Sequence, residues 1–324
     1  MDGHALPPAS DNKGPALLGV GYALHTIALV VYSTRLWSRL RPKYALTAAD
    51  YAISVAIIAK CTSIGLTTAA VANGFGRHAV YLSATASARI GIFTFLTFIF
   101  STIASGFARI SIACLLLQVT SKKRWRLALW SILGLQIVYI LVYIVAQVVQ
   151  CESTIAHRIG IKQSQCLTPS QVWSFTYVSI SISLFSDLVC AIIPICLICS
   201  LTRSLVEKIL TSCLLGSCLL ASGICVAKVY FMATYDFTSP DGFYLMVDMF
   251  FCSRMEEATI IIAACAPLLK APVERALKRL GVRGFDNPQR ELNELDLDMV
   301  SKDSENGLES SANSQQGLGL NKSE

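Results

Sequence analysis

IGIFTFLTFIFSTIASGFARISIACLLLQV, residues Ile90–Val119, carries one charged side chain, Arg109, in an otherwise uncharged stretch. A hydrocarbon core about 30 Å thick needs about 20 apolar residues at about 1.5 Å rise per residue. The stretch meets that length and is apolar all round, whereas a soluble surface helix keeps one face polar. It reads as a transmembrane helix.

Working outward, six more stretches have the same character: Ala16–Trp37, Leu46–Ala72, Leu127–Val149, Val172–Leu201, Ile209–Tyr235 and Phe243–Leu269. The expected fold is an all-α membrane protein, a seven-transmembrane helix bundle. Composition agrees, with 54% hydrophobic and 15% charged residues where soluble domains carry roughly a quarter as charges. The first span follows a short polar tail, exceeds a signal-peptide core in length and is expected to be retained.

The formal charge of +6 is concentrated in clusters beside the spans: Arg39, Arg41 and Lys43; Lys122, Lys123, Arg124 and Arg126; Lys270, Arg275, Lys278 and Arg279. No basic face interleaved with aromatics appears, which excludes a nucleic-acid partner. These clusters, with Arg203 and Lys208, fall on alternate connections, so the positive-inside rule places the N-terminus outside and the C-terminus in the cytosol. The divisions are then a short outer tail (residues 1–15), the seven-helix domain (16–269), a basic amphipathic juxtamembrane segment (270–283) and a tail (284–324) too polar to order itself. That tail offers a surface for a cytosolic partner.

Ten of the 12 cysteines fall within apolar spans, where cysteine is a small buried residue. Cys151 and Cys166 instead share the one long outer connection, whose compartment is oxidising, and a disulfide between them is expected to hold that loop as a lid.

A charge inside the bilayer costs at least about 2.5–3.5 kcal/mol on insertion scales, so each one demands an account. Asp50, three residues after Thr47, has the spacing of a capping box. Arg35 and Lys228 lie near span ends, where long side chains are expected to reach water. The deeper groups are Lys60, Arg109, Asp187, Arg254, Glu256 and Glu257. Arg254 and Glu257 share a face at i, i+3 and can pair, which turns Glu256 the other way. Asp187 stands in line with Ser179 and Ser183, and Gln136, Tyr139, Tyr143 and Gln147 fall at i, i+3, i+7 and i+11. Together they predict a polar inner cavity. Helix-to-helix ion pairing is the alternative, with Arg109 or Lys60 neutralising Asp187 and Glu256.

Gly74-Phe-Gly-Arg-His78, Ala49-Asp-Tyr51, the pair Cys151 and Cys166, Phe185-Ser-Asp-Leu188 followed by Pro194, and Glu256 ahead of Pro267 occur in that arrangement along the membrane part. In this the chain resembles the fungal rhodopsin-domain family, the satratoxin-cluster-type and Pth11-like integral membrane proteins. The resemblance implies a seven-helix bundle, receptor-like in some members and encoded beside secondary-metabolite pathways in others, and it singles out His78, Asp187 and Glu256. The chain departs from the family in carrying Ala49-Asp50 where a pair of acids is frequent, Arg109 near a frequent Lys and Lys228 near a frequent Arg.

Retinal is not implied, because its Schiff base requires a lysine in the binding helix and Phe243–Leu269 has none. No cofactor and no metal is expected. The segment after the third span, Val119-Thr-Ser-Lys-Lys-Arg124, lacks the triplet associated with G-protein coupling. The leading expectation is a non-retinal, receptor-like or pathway-associated protein of the plasma membrane or an endomembrane that binds a small lipophilic molecule. An embedded cyclase or isomerase with Glu256 or Asp187 as general acid is the alternative, and a proton-coupled transporter comes third. Oligomeric state stays open.

Overall fold

The computed structural model describes residues 11–40, 46–120, 123–149, 169–198, 205–235 and 241–266. Among these there are seven α-helices: α1 (Gly14–Leu40), α2 (Ala48–Ala72), α3 (Ala84–Val119), α4 (Lys123–Val149), α5 (Pro169–Ile198), α6 (Leu205–Ala233) and α7 (Gly242–Cys265). One 3-10 turn, Ala79–Tyr81, sits between α2 and α3. Five of the helices (α1 to α4 and the Leu215–Ala233 part of α6) are long and apolar enough to cross a membrane. α7 carries Asp248, Arg254, Glu256 and Glu257 within 24 residues, and that charge lowers its hydropathy.

The helix ends follow local chemistry. Thr47 begins α2 as its N-cap, and its amide donates to the Asp50 carboxylate at 2.9 Å, as the capping-box spacing predicts. Ser83 caps α3 by accepting from the Ala86 amide at 3.2 Å. α3 starts six residues earlier than the apolar run, because Ser83 supplies a cap ahead of a helix-permissive Ala-Thr-Ala-Ser stretch.

Between α2 and α3 the chain turns at Gly74 and Gly76, with φ of 105° and 95°, a region that side-chain-bearing residues rarely enter. Phe75, fully buried, is driven inward between them against Phe243 and Phe250 of α7. This loop is pinned to the start of α1 through the Lys13 amide, which donates to the Gly76 carbonyl at 3.2 Å.

The burial pattern is that of a protein dissolved in lipid. Leu127, Trp130, Ile137, Leu141 and Val145 line the outer face of α4, all exposed. Inside lie Arg35, Lys60, Arg109, Asp187, Arg254, Glu256 and Glu257. Apolar burial gives little drive between helices in lipid, and close packing at small residues takes its place. Ala28, Ala56, Ala104, Ala108, Ala113, Ala221 and Ala264 are fully buried at the contacts. α2 lies along α3, and two helices each touch four others, α3 against α2, α4, α5 and α7 and α7 against α1, α2, α3 and α6.

Two expectations fail. Arg35 does not reach water: it is 1% exposed and donates to Asp50 from Nε at 3.0 Å and Nη2 at 2.7 Å, and to the Ala264 carbonyl at 2.7 Å. Lys228 turns inward to Glu256. In both cases a carboxylate on a neighbouring helix takes the cation. Cys151 and Cys166, the juxtamembrane segment and the tail lie outside the described residues. Among the described ones, Cys61, Cys114, Cys190, Cys218, Cys225, Cys252 and Cys265 are free thiols.

Candidate functional site

Four helices deliver one charge each to a single buried chain. Arg109 of α3 donates to Asp187 of α5 through Nε at 2.8 Å and Nη2 at 3.2 Å, and to Oε1 of Glu256 on α7 through Nη2 at 2.6 Å. Lys228 of α6 donates to the other Glu256 oxygen. The planar guanidinium is what allows one cation to bridge two carboxylates with fixed geometry. The ligand atoms of Asp187, Cys225 and Glu256 lie within 4.8 Å of one another, a separation a metal could use, but the Arg109 guanidinium already supplies the cation the two carboxylates share.

A second set adjoins the first. Lys60 of α2 donates to Oε2 of Glu257 at 3.3 Å, and Arg254 pairs with Oε1 of Glu257 at 3.0 Å. That is the i, i+3 pair foreseen in α7. Arg254 also donates to Ser63 at 2.7 Å and to Ser101.

Beside both sets lies a cavity of about 110 Å³. Glu256, Glu257 and Lys228 form its charged wall; Ser101, Thr102, Ser105, Ser179, Ser183, Tyr139 and Tyr143 give hydroxyls; Phe98, Ile180 and Met249 are apolar. Tyr139 reaches Ser183, and Tyr143 reaches Thr102 and Gln147. The Tyr143 ring packs on Phe175 at 5.6 Å. The space compares with the roughly 150 Å³ apolar cavity that admits a benzene ring.

The structure thus brings Glu256, Asp187, Arg109, Tyr139 and Tyr143 together. Gln136 stays behind the wall, donating to Ser186 at 2.6 Å. His78 is elsewhere, at the end of the bundle where α2 and α3 are joined. Its Nδ1 is 3.0 Å from Asp241 and its Nε2 is 3.5 Å from Asp11, and the ring stacks on Tyr244 at 4.1 Å. The Asp241 carboxylate bonded to the ring holds His78 above its usual value, and the ring holds Asp241 below the ordinary carboxylate range.

Sequence reasoning pointed Lys228 to water and passed over the α3 wall. Phe98, Ser101, Ser105 and Arg109 fall at i, i+3, i+7 and i+11, one helical face, and that stripe was the available signal. Lys228 stood out as a charge within a span, but no local pattern named its partner, which lies on a different helix.

The family profile described as the fungal rhodopsin domain matches residues 34–275. The chain belongs to that family. No curated protein and no solved structure matches it. The fungal rhodopsin domain takes in every member of both charge sets, from Lys60 to Glu257, and the Arg35–Asp50 pair besides. With its apolar helices it makes the protein a multi-pass integral membrane protein in contact with the bilayer.

Proposed function

We propose that this fungal rhodopsin domain protein is a non-retinal, receptor-like or pathway-associated membrane protein that binds a small lipophilic molecule in the cavity beside Glu256 and Lys228. In this reading all seven helices cross the bilayer, with the N-terminus outside and the basic C-terminal segment in the cytosol. The carrying observation is the cavity itself: about 110 Å³ of space, ringed by hydroxyls and bounded by a charge chain assembled from four helices. A bundle that needed only internal ion pairs could close on them by packing, without leaving space at the pair. Glu256 would act by orienting a ligand, Asp187 by holding the Arg109 guanidinium against Glu256, and Tyr139 and Tyr143 by shaping the seat.

The enzyme reading asks Glu256 or Asp187 to give up a proton. Both oxygens of each accept from cations, Glu256 from Arg109 and Lys228 and Asp187 from Arg109 alone, which favours fixed anions over a general acid.

The test is native mass spectrometry of the full chain purified from its source membrane in a mild detergent. A bound small molecule should appear in the wild type and vanish when Ser183→Trp fills the cavity. If the two spectra are identical, the binding reading falls. If incubation instead converts the released molecule, and Glu256→Gln stops conversion while retaining binding, the enzyme takes its place.

A further inference from the structure

The charges around the cavity do not balance. Arg109 and Lys228 meet Asp187 and Glu256, one for one. Lys60 and Arg254 share the single carboxylate of Glu257. Among the described residues of these two sets, four cations therefore face three anions at neutral pH. These groups have side-chain exposures of 1–6%, apart from Lys228 at 17%, and a net charge held away from water is costly unless it is matched.

The lining acids do not call for another cation, since Glu256 and Glu257 each face two already. Arg254 spreads its two Nη groups over the Ser63 and Ser101 hydroxyls and Oε1 of Glu257, so that it and Lys60 divide one carboxylate between them, and Ser101 lies on the cavity wall. Lys228 also faces the cavity, and an ammonium has three N–H donors, one of which Glu256 takes. Ser105 and Ser253 give their hydrogens to their own helices at the Thr102 and Met249 carbonyls, which leaves Lys228 as the charged donor on the wall.

Building on the proposed small-molecule site, we infer that its ligand is a monoanion, the carboxylate of a lipophilic acid. The carboxylate sits against Lys228 and restores neutrality, and the apolar part lies along Phe98, Ile180 and Met249. The apolar wall favours a carboxylic acid over a bare halide, and the volume suits a carboxylate with a ring or short chain.

The experiment follows thermal unfolding of the full chain in a neutral detergent, at fixed pH and ionic strength, with benzoate, benzyl alcohol, benzylammonium and chloride as probes. Benzoate should raise the unfolding temperature saturably, and the other three should not. Lys228→Met should abolish the response. Lys60→Met removes the surplus charge without touching the wall, leaves Arg254 and Glu257 balanced, and should weaken benzoate by about tenfold; it decides the matter if Lys228→Met does not fold.

An equal response to benzyl alcohol or benzylammonium overturns the anion while leaving small-molecule binding in place. An equal response to chloride overturns the carboxylate. An unchanged benzoate affinity in Lys60→Met overturns the charge-surplus argument. No response to any probe overturns the inference, and the binding reading falls with it only if native mass spectrometry also finds nothing bound.

Discussion

Arg109 shows how much one side chain carries in this bundle. It touches carboxylates on two other helices and is 1% exposed, so its loss leaves Asp187 without the cation it shares with Glu256. Removing one partner of a buried pair typically costs about 3–5 kcal/mol, and Arg109→Met is expected to lower the unfolding temperature sharply in detergent. Arg109→Lys keeps the charge but cannot bridge both acids in the same plane, and should fall between the two.

His78 gives a pH signature instead. Its value lies above 6.5 in the folded chain, so its stabilising bond to Asp241 is fully present below pH 6.5 and is lost as pH rises through the raised value. Asp241, held below 3.8, keeps its share above that pH and loses it as pH falls through the lowered value. Asp11 and Tyr244 pack on the same ring. The stability difference between wild type and His78→Gln should therefore be greatest between about pH 4 and 6.5 and shrink on the alkaline side, as thermal unfolding across a pH series would reveal.

Among the elements, the α2–α3 turn is the most sharply specified. A Cβ on Gly76 would come within 2.6 Å of the Gly14 nitrogen, and the residue holds φ of +95°. Backbone cannot yield as a flexible side chain can, so Gly76→Ala is expected to cost about 1–3 kcal/mol. Gly216 and Gly223 of α6 have nothing within 4 Å of a built Cβ; alanine there should be neutral or stabilise by up to about 1 kcal/mol through helix propensity. A chemical or thermal unfolding comparison of the three variants checks both statements.

Helices of this kind are legible in sequence because length and apolarity are local properties. The capping box at Thr47 and Asp50 and the Arg254–Glu257 pair were legible for the same reason, each being contained within one turn or so of chain. The partners of Arg35 and Lys228 were not. Each reaches across to another helix, and span-end position alone pointed them to water.

At the scale of the whole molecule, α3 and α7 each contact four other helices, and α7 contributes an acid to both charge sets. The proposed orientation is open to a direct check in sealed microsomes. An epitope at the N-terminus should be protected from added protease and one at the C-terminus removed, and the reverse pattern would invert the topology.

What the sequence settled is that this chain lives in a bilayer and carries charges there, because hydrocarbon admits only long apolar helices and makes every buried charge conspicuous. Which charges meet was decided by tertiary structure. Arg109, Asp187, Lys228 and Glu256 come from four helices separated by up to 147 residues of chain, and their pairing depends on helix rotation and close packing at alanines. No local pattern encodes those. The cavity is likewise a property of the assembled helices, the space left where side chains from α3, α4, α5, α6 and α7 do not fill the volume between them.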